Sequence, residues 1–262
     1  MSQQISPSTR GSSSSPASGG LVVVHLCSEE ARKLASYFLP KTGMRLGRQG
    51  ERASHYVYAC SALPETQIVK DPVANKTVLE LTDFRGQTLA PPSVYFDGEI
   101  LEYESQGEPT QVTAEELVEC FTELSAAVLF ARHWPTEASR PDTVSALAGM
   151  LIGAGWSDYR ADRFITRIAF AVGDPEFGRR QSDIASIAKR FSNGEAILGA
   201  AALGEILLSQ IVREAAKFLG IKLPKTADQI IQVVIDAVTS TASQTEQNPV
   251  GTPSPHVRTS GE

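Results

Sequence analysis

With 262 residues, 42% hydrophobic and 21% charged, the chain has the make-up of an ordinary globular protein and room for one large domain or two small ones. Its net charge of −6 excludes a protein that coats nucleic acid with its whole surface, while leaving room for a local basic face. No apolar run approaches the roughly 20 residues of a membrane span, and the three widely spaced cysteines, Cys27, Cys60 and Cys120, make neither a disulfide framework nor a zinc knuckle. Reduced thiols in a cytoplasmic protein are expected.

The opening MSQQISPSTRGSSSSPASGG has no apolar h-region and reads as a disordered Ser/Gly/Pro tract over 1–20. LVVVHL then reads as a strand, and Ser28 caps a helix that reaches about Tyr37. Alternation puts His25 and Cys27 side by side on one face, just before that helix. SHYVYAC (54–60) and TVLELTD (77–83) alternate as strands. QTLAPPSVYF (87–96) is a strand interrupted by Pro91-Pro92, fit only for an edge or an exit, with Ser93 as a turn-former. FDGEILEYE (96–104) carries an Asp-Gly hairpin signal. Residues 21–108 therefore read as strand, helix and a run of antiparallel strands.

From Thr113 the period becomes helical. TAEELVECFTELSAAVLFAR opens on a capping box, Thr113 with Glu116, and DTVSALAGMLIGAG closes at Gly155. SDYRADRFITRIAFAVGD is capped by Ser157 and lays Phe164, Ile165, Ile168 and Ala169 along one stripe. RQSDIASIAKRFSNG stops at Asn193-Gly194, EILLSQIVREAAKFLG stops at Gly220, and TADQIIQVVIDAVTS has a second capping box, Thr226 with Gln229. Residues 109–241 read as an all-α bundle able to fold alone, followed by a disordered tail over 242–262. Trp134 and Trp156 are expected as core anchors. Between residues 158 and 190 seven bases (Arg160, Arg163, Arg167, Arg179, Arg180, Lys189, Arg190) outnumber five acids. This stretch is either a solvated helical surface or a face for single-stranded nucleic acid. No Gly-x-x-x-x-Gly-Lys-Ser/Thr loop, HExxH, GxSxG or CxxC pattern occurs.

Five stretches, in order, resemble the archaeo-eukaryotic-type bifunctional DNA primase-polymerases of plasmids, phages and integrated elements. They are LVVVHLCSEEA (21–31), TGMRLGRQGERASHYVY (42–58), LELTDFRGQTLAPPSVYFDGEILEY (79–103), ARHWPTEASRPDTVSALAGMLIGAGW (131–156) and AFAVGDPEFGRR (169–180), spanning roughly residues 21–205. The resemblance implies an α+β protein: an incomplete primase-polymerase α/β core (21–108), short of its N-terminal segment, followed by the helical bundle. It implies template-directed nucleotidyl transfer as the ancestral reaction, with Mg2+ or Mn2+ as cofactor. Nucleoside triphosphate, single-stranded DNA template and a replicative helicase are the implied partners. The family's metal ligands fall on His25, Cys27 and Glu80, and its phosphate-gripping residues on Arg48, Arg52, Ser54 and His55. Template contacts would fall on Arg160, Arg163, Arg167, Arg179 and Arg180.

The departures are specific. His25 and Cys27 stand where the family usually has an Asp-x-Asp pair, and Ser54 and His55 are adjacent where its common motif spaces them by one. Two-ion phosphoryl transfer wants hard anionic oxygens, whereas a thiol-imidazole pair favours softer ions such as Zn2+. Little or no polymerase turnover is expected. The alternatives are a non-catalytic nucleic-acid or nucleotide-binding module of a replication complex, and a decayed remnant of a mobile element.

Overall fold

A computed structural model describes residues 19–83, 91–94 and 98–223. The β-branched run Val22, Val23, Val24 forms the middle of β1 (Gly20–His25) and is buried on both sides, as a continuous apolar strand requires. After α1 (Glu29–Phe38) come β2 (Met44–Arg48), β3 (Glu51–Cys60), β4 (Gln67–Lys70), β5 (Thr77–Asp83), β6 (Ser93–Val94), β7 (Ile100–Gln106) and β8 (Thr110–Val112). They build one sheet in the order β4-β5-β1-β3-β2-β7-β6, with β8 beside β3. The β3–β8 pairing is parallel and the other described pairings are antiparallel. One face buries Val23, Leu46, Val57 and Leu101 against Leu21 and Met44. On the other, Tyr58 donates its hydroxyl to the Pro40 carbonyl after α1, at 2.7 Å.

The helices are α2 (Ala114–Arg132), α3 (Arg140–Gly153, entered through a 3-10 turn at Glu137–Ser139), α4 (Asp158–Ala171), α5 (Phe177–Ser192), α6 (Ala200–Leu207) and α7 (Ser209–Phe218). The expected caps form: Ser28, Thr113 and Ser157 accept from the backbone N–H of Ala31, Glu116 and Arg160 at 3.2, 3.0 and 3.2 Å. Gly155, Gly194 and Gly220 close their helices at φ +92°, +75° and +66°, which a residue without Cβ adopts at no cost. The α4 stripe is buried as its spacing predicts.

Three expectations need correction. The sequence predicts no strand at β2, β4 or β8, because strands of three to five residues are too short to display a period. EILLSQIVREAAKFLG is two helices, broken at Leu208 with φ +72°. The break lets α6 pack on α3 and α7 on α2, which one straight helix would not do. The boundary at 108/109 cuts β8 from its sheet, and α1 packs on α2 and α4, so the described residues up to Lys222 form one compact unit. The Ser/Gly/Pro tract up to residue 18, the strand residues 87–90, Asp97 of the hairpin turn, the Thr226–Gln229 capping box and the tail over 242–262 lie outside the described residues.

A buried carboxylate ties the two parts together. Asp71 accepts from the backbone N–H of Val73 and Ala74 at 2.8 and 3.3 Å, from Arg132 Nε at 2.6 Å, and lies 3.1 Å from His133 Nε2. Arg132 in turn reaches Glu30 at 3.2 Å, so the β4–β5 turn, α1 and the end of α2 share one network. Burial alone would raise the Asp71 carboxyl, but the two backbone donors, Arg132 and His133 together hold it down at about 2. Its folded pKa is below the ordinary value, so its contribution is complete above about pH 4 and is lost as pH falls toward 2. Asp71→Asn is expected to cost about 2 kcal/mol at neutral pH and to flatten that acid limb. Urea midpoints measured from pH 7 to pH 2 test this; an unchanged limb would refute it.

Candidate functional site

Strand register builds the site. His25 in β1 stands opposite Glu80 in β5 on one side and opposite His55 in β3 on the other, so the three side chains share one face of the sheet. The chain keeps pairing beyond β1: Leu26 donates its N–H to Ser54 at 2.7 Å and Cys27 donates to Val78 at 3.1 Å. Cys27 therefore lands beside His25, as alternation predicts, with Sγ 3.5 Å from His25 Nδ1. Glu80 Oε2 lies 3.5 Å from the same nitrogen. The donor atoms of His25, Cys27 and Glu80 lie within 4.8 Å of one another, and all three residues are half-buried. The His25 ring is stacked on the His55 ring, centroids 4.2 Å apart and planes 9° from parallel. Ser54 Oγ lies 2.9 Å from Nδ1 of His55.

This arrangement is not a nucleophile with its base. A relay needs the thiol and the carboxylate on opposite ring nitrogens, and here both face Nδ1. Burial, then Glu80 and Glu51, push the Cys27 thiol up to about 12 against a smaller pull from Arg32, so the sulfur is protonated at neutral pH. Burial, with His25 and Arg48 nearby, pushes His55 down to about 3, so its ring is neutral.

Of the rim, the resemblance points to Arg48 alone. Arg32 donates to the Leu26 carbonyl at 3.3 Å and lies 3.7 Å from Glu51. Arg48 grips Glu51 Oε2 through Nε and Nη2 at 3.1 and 2.9 Å and lies 3.2 Å from Glu99. Glu104 accepts the Ala53 N–H at 2.7 Å, where the backbone turns to φ +50°. Recognising β2 would have exposed the Arg48–Glu51 pairing, since the two face each other across the β2–β3 ladder.

The four residues expected to grip phosphate lie on β2 (Arg48) and β3 (Arg52, Ser54 and His55). Arg48 is engaged by two carboxylates, Ser54 and His55 are buried, and of the four only Arg52 faces solvent. The basic face is corrected at Arg180. Arg180 is buried in an ion cluster with Asp174, Glu176 and Asp183, so it presents nothing to a template. Arg179 is exposed and lies 3.7 Å from Glu176, while Arg190 is paired with Glu195 at 3.1 Å.

Arg160, Arg163 and Arg167 do share the solvent side of α4, beside aromatic residues that charge counting missed. Arg160 stacks 3.7 Å from the Trp156 ring, Arg163 sits 5.5 Å from Tyr159, and Arg167 sits 5.2 Å from Phe38. Tyr37, Tyr159, Phe170 and Phe177 are all exposed. Tyr37 meets Phe170 edge-on at 6.0 Å, and Phe170 meets Phe177 at 5.1 Å. Trp134 and Trp156 are only half-buried, and Trp134 Nε1 is buried with no partner among the described residues. No described helix is long and apolar enough to cross a membrane. No family model matches the chain, and no curated protein or solved structure matches it significantly.

Proposed function

We propose that the chain is a primase-polymerase-type module that keeps the layout of the family's centre without its chemistry, and that it acts by binding single-stranded nucleic acid. The observation that carries this reading is convergence. His25, Cys27 and Glu80, on which the resemblance places the metal ligands, meet on one sheet face, and His55, from its phosphate-gripping set, stacks on His25 there. Among the described residues the centre offers a single carboxylate, Glu80, where two-ion transfer needs several hard anionic oxygens. Mg2+ and Mn2+ do not fit this donor set, and no two-ion step is derived through it. No substantial Mg2+- or Mn2+-dependent primer synthesis is expected.

Binding is placed on α4. Exposed guanidinium groups interleaved with exposed rings at helical spacing, Tyr159, Arg163 and Phe170 with Tyr37 alongside, suit a strand whose bases stack and whose phosphates need cations. Fluorescence anisotropy of the full chain with a labelled single-stranded oligonucleotide at low salt tests this. Tyr159→Ala should weaken binding by about 1–3 kcal/mol, and Arg163→Ala should reduce the salt slope by about 0.7. Absence of binding at low salt would leave the decayed-remnant alternative. Catalytic primer synthesis at substoichiometric protein would overturn the non-catalytic reading.

A further inference from the structure

We infer that His25, Cys27 and Glu80 form a binding site for Zn2+, with an open fourth position. The inference uses the same residues as the family reading but not the family itself, so the two fail separately. Its basis is the donor set and its geometry. Imidazole, thiol and carboxylate are the three side-chain types that bind zinc, and the thiol and imidazole select it over Mg2+ and Mn2+. With the usual bond lengths, the donor atoms around a tetrahedral zinc ion stand about 3.3–3.6 Å apart. His25 Nδ1 is 3.5 Å from both Cys27 Sγ and Glu80 Oε2, two of the three separations at the spacing of ligands around an ion, and the third, between Cys27 and Glu80, is within 4.8 Å.

The direction of approach agrees with the spacing. Both partners address one ring nitrogen, which a bound ion between the three would explain and an acid-base relay would not. The site is also held in place. His25 and Glu80 are neighbours on adjacent strands, the Cys27 backbone is hydrogen-bonded to Val78, and the His55 stack restrains the His25 ring. A thiolate and a carboxylate together carry the two negative charges that balance the ion, and partial exposure leaves an entry path. On binding, the Cys27 S–H bond breaks, sulfur donates its electron pair to zinc, and the proton passes to solvent. No redox change is involved.

Cobalt(II) is the probe, because it takes zinc sites and reports thiolate ligation by a near-ultraviolet charge-transfer absorption. The full-length chain, chelator-treated and kept reduced, should develop this absorption with saturation at one equivalent and lose it when Zn2+ is added. Cys27→Ser should abolish it, while Cys60→Ser and Cys120→Ser should leave it intact. Changing an outer-shell partner typically costs 10–100-fold in metal affinity, so His25→Ala and Glu80→Gln, which each remove a ligand, should weaken Zn2+ binding about 100-fold or more. Far-ultraviolet circular dichroism confirms that each variant is folded, and the separate substitutions keep the test decisive if one of them is not. No charge-transfer absorption in the wild-type chain, or one that survives Cys27→Ser in a folded variant, would overturn the site. Oligonucleotide binding is unaffected by either outcome.

Discussion

Phe164→Ala should destabilise the chain by about 3–5 kcal/mol, the usual cost of emptying a buried aromatic site. Phe164 is 1% exposed and makes edge-on contacts with Phe38, Phe130 and Trp156 at centroid distances of 5.7, 6.3 and 5.5 Å. Those partners belong to α1, α2 and the loop before α4, so one ring joins the helix that follows β1 to the helical part. Truncation removes the ring's buried area and three aromatic contacts, and rigid helices collapse poorly into such a gap. Chemical denaturation measures the loss. A single cooperative transition at a lower midpoint is expected, because the two parts share this core. A change below about 1 kcal/mol, or the sheet and the bundle unfolding separately, would refute the shared core.

Arg180→Ala should cost about 3–5 kcal/mol, while Arg179→Ala should stay within about 0.5 kcal/mol. Arg180 places Nε 3.2 Å from the fully buried Asp174, Nη2 3.1 Å from Glu176 and Nη1 3.6 Å from Asp183. Removing it leaves the Asp174 carboxylate buried with Arg140, at 3.8 Å, as its remaining ion-pair partner among the described residues. Breaking a buried pair from one side carries the full desolvation penalty of the group left behind. Arg179 has a side chain that is 73% exposed and one loose contact with Glu176, where solvent screens most of the attraction. Urea unfolding of the two variants compares neighbouring residues of the same type. Equal, small effects would show that the Arg180 cluster is not a stabilising unit. Oligonucleotide binding by Arg180→Ala is not a clean test of contact, since the variant reports on folding first.

Much of the helical part was legible because its signals are local. A cap needs a side chain within three residues of the N–H it accepts from, and a buried stripe repeats within two turns. Thr113, Ser157 and the Phe164–Ile165–Ile168–Ala169 stripe therefore announce themselves in the sequence. The pairing of His25 with Cys27 was legible for the same reason, since strand alternation alone sets their proximity. Glu80 and His55 came to the site through the family resemblance, and their distances depend on register across three strands.

What the sequence alone determined is which residues have the local chemistry for each role: the strands around 22–24 and 54–60, the helix starts capped by Ser28, Thr113 and Ser157, and the His-x-Cys pair. Tertiary structure alone decided which charges are available and where helices break. Arg179 and Arg180 are adjacent in the sequence, yet one is exposed and the other lies in a buried acidic cluster. Arg48, by resemblance a phosphate-gripping cation, is set against Glu51 by the β2–β3 ladder, and the fold brings Glu99 to it. Leu208 interrupts an otherwise continuous helical pattern because α6 and α7 pack on different helices. The physical reason is one of range. Backbone propensity and side-chain period act over a few residues, whereas desolvation and ion pairing depend on segments that only the folded chain brings together.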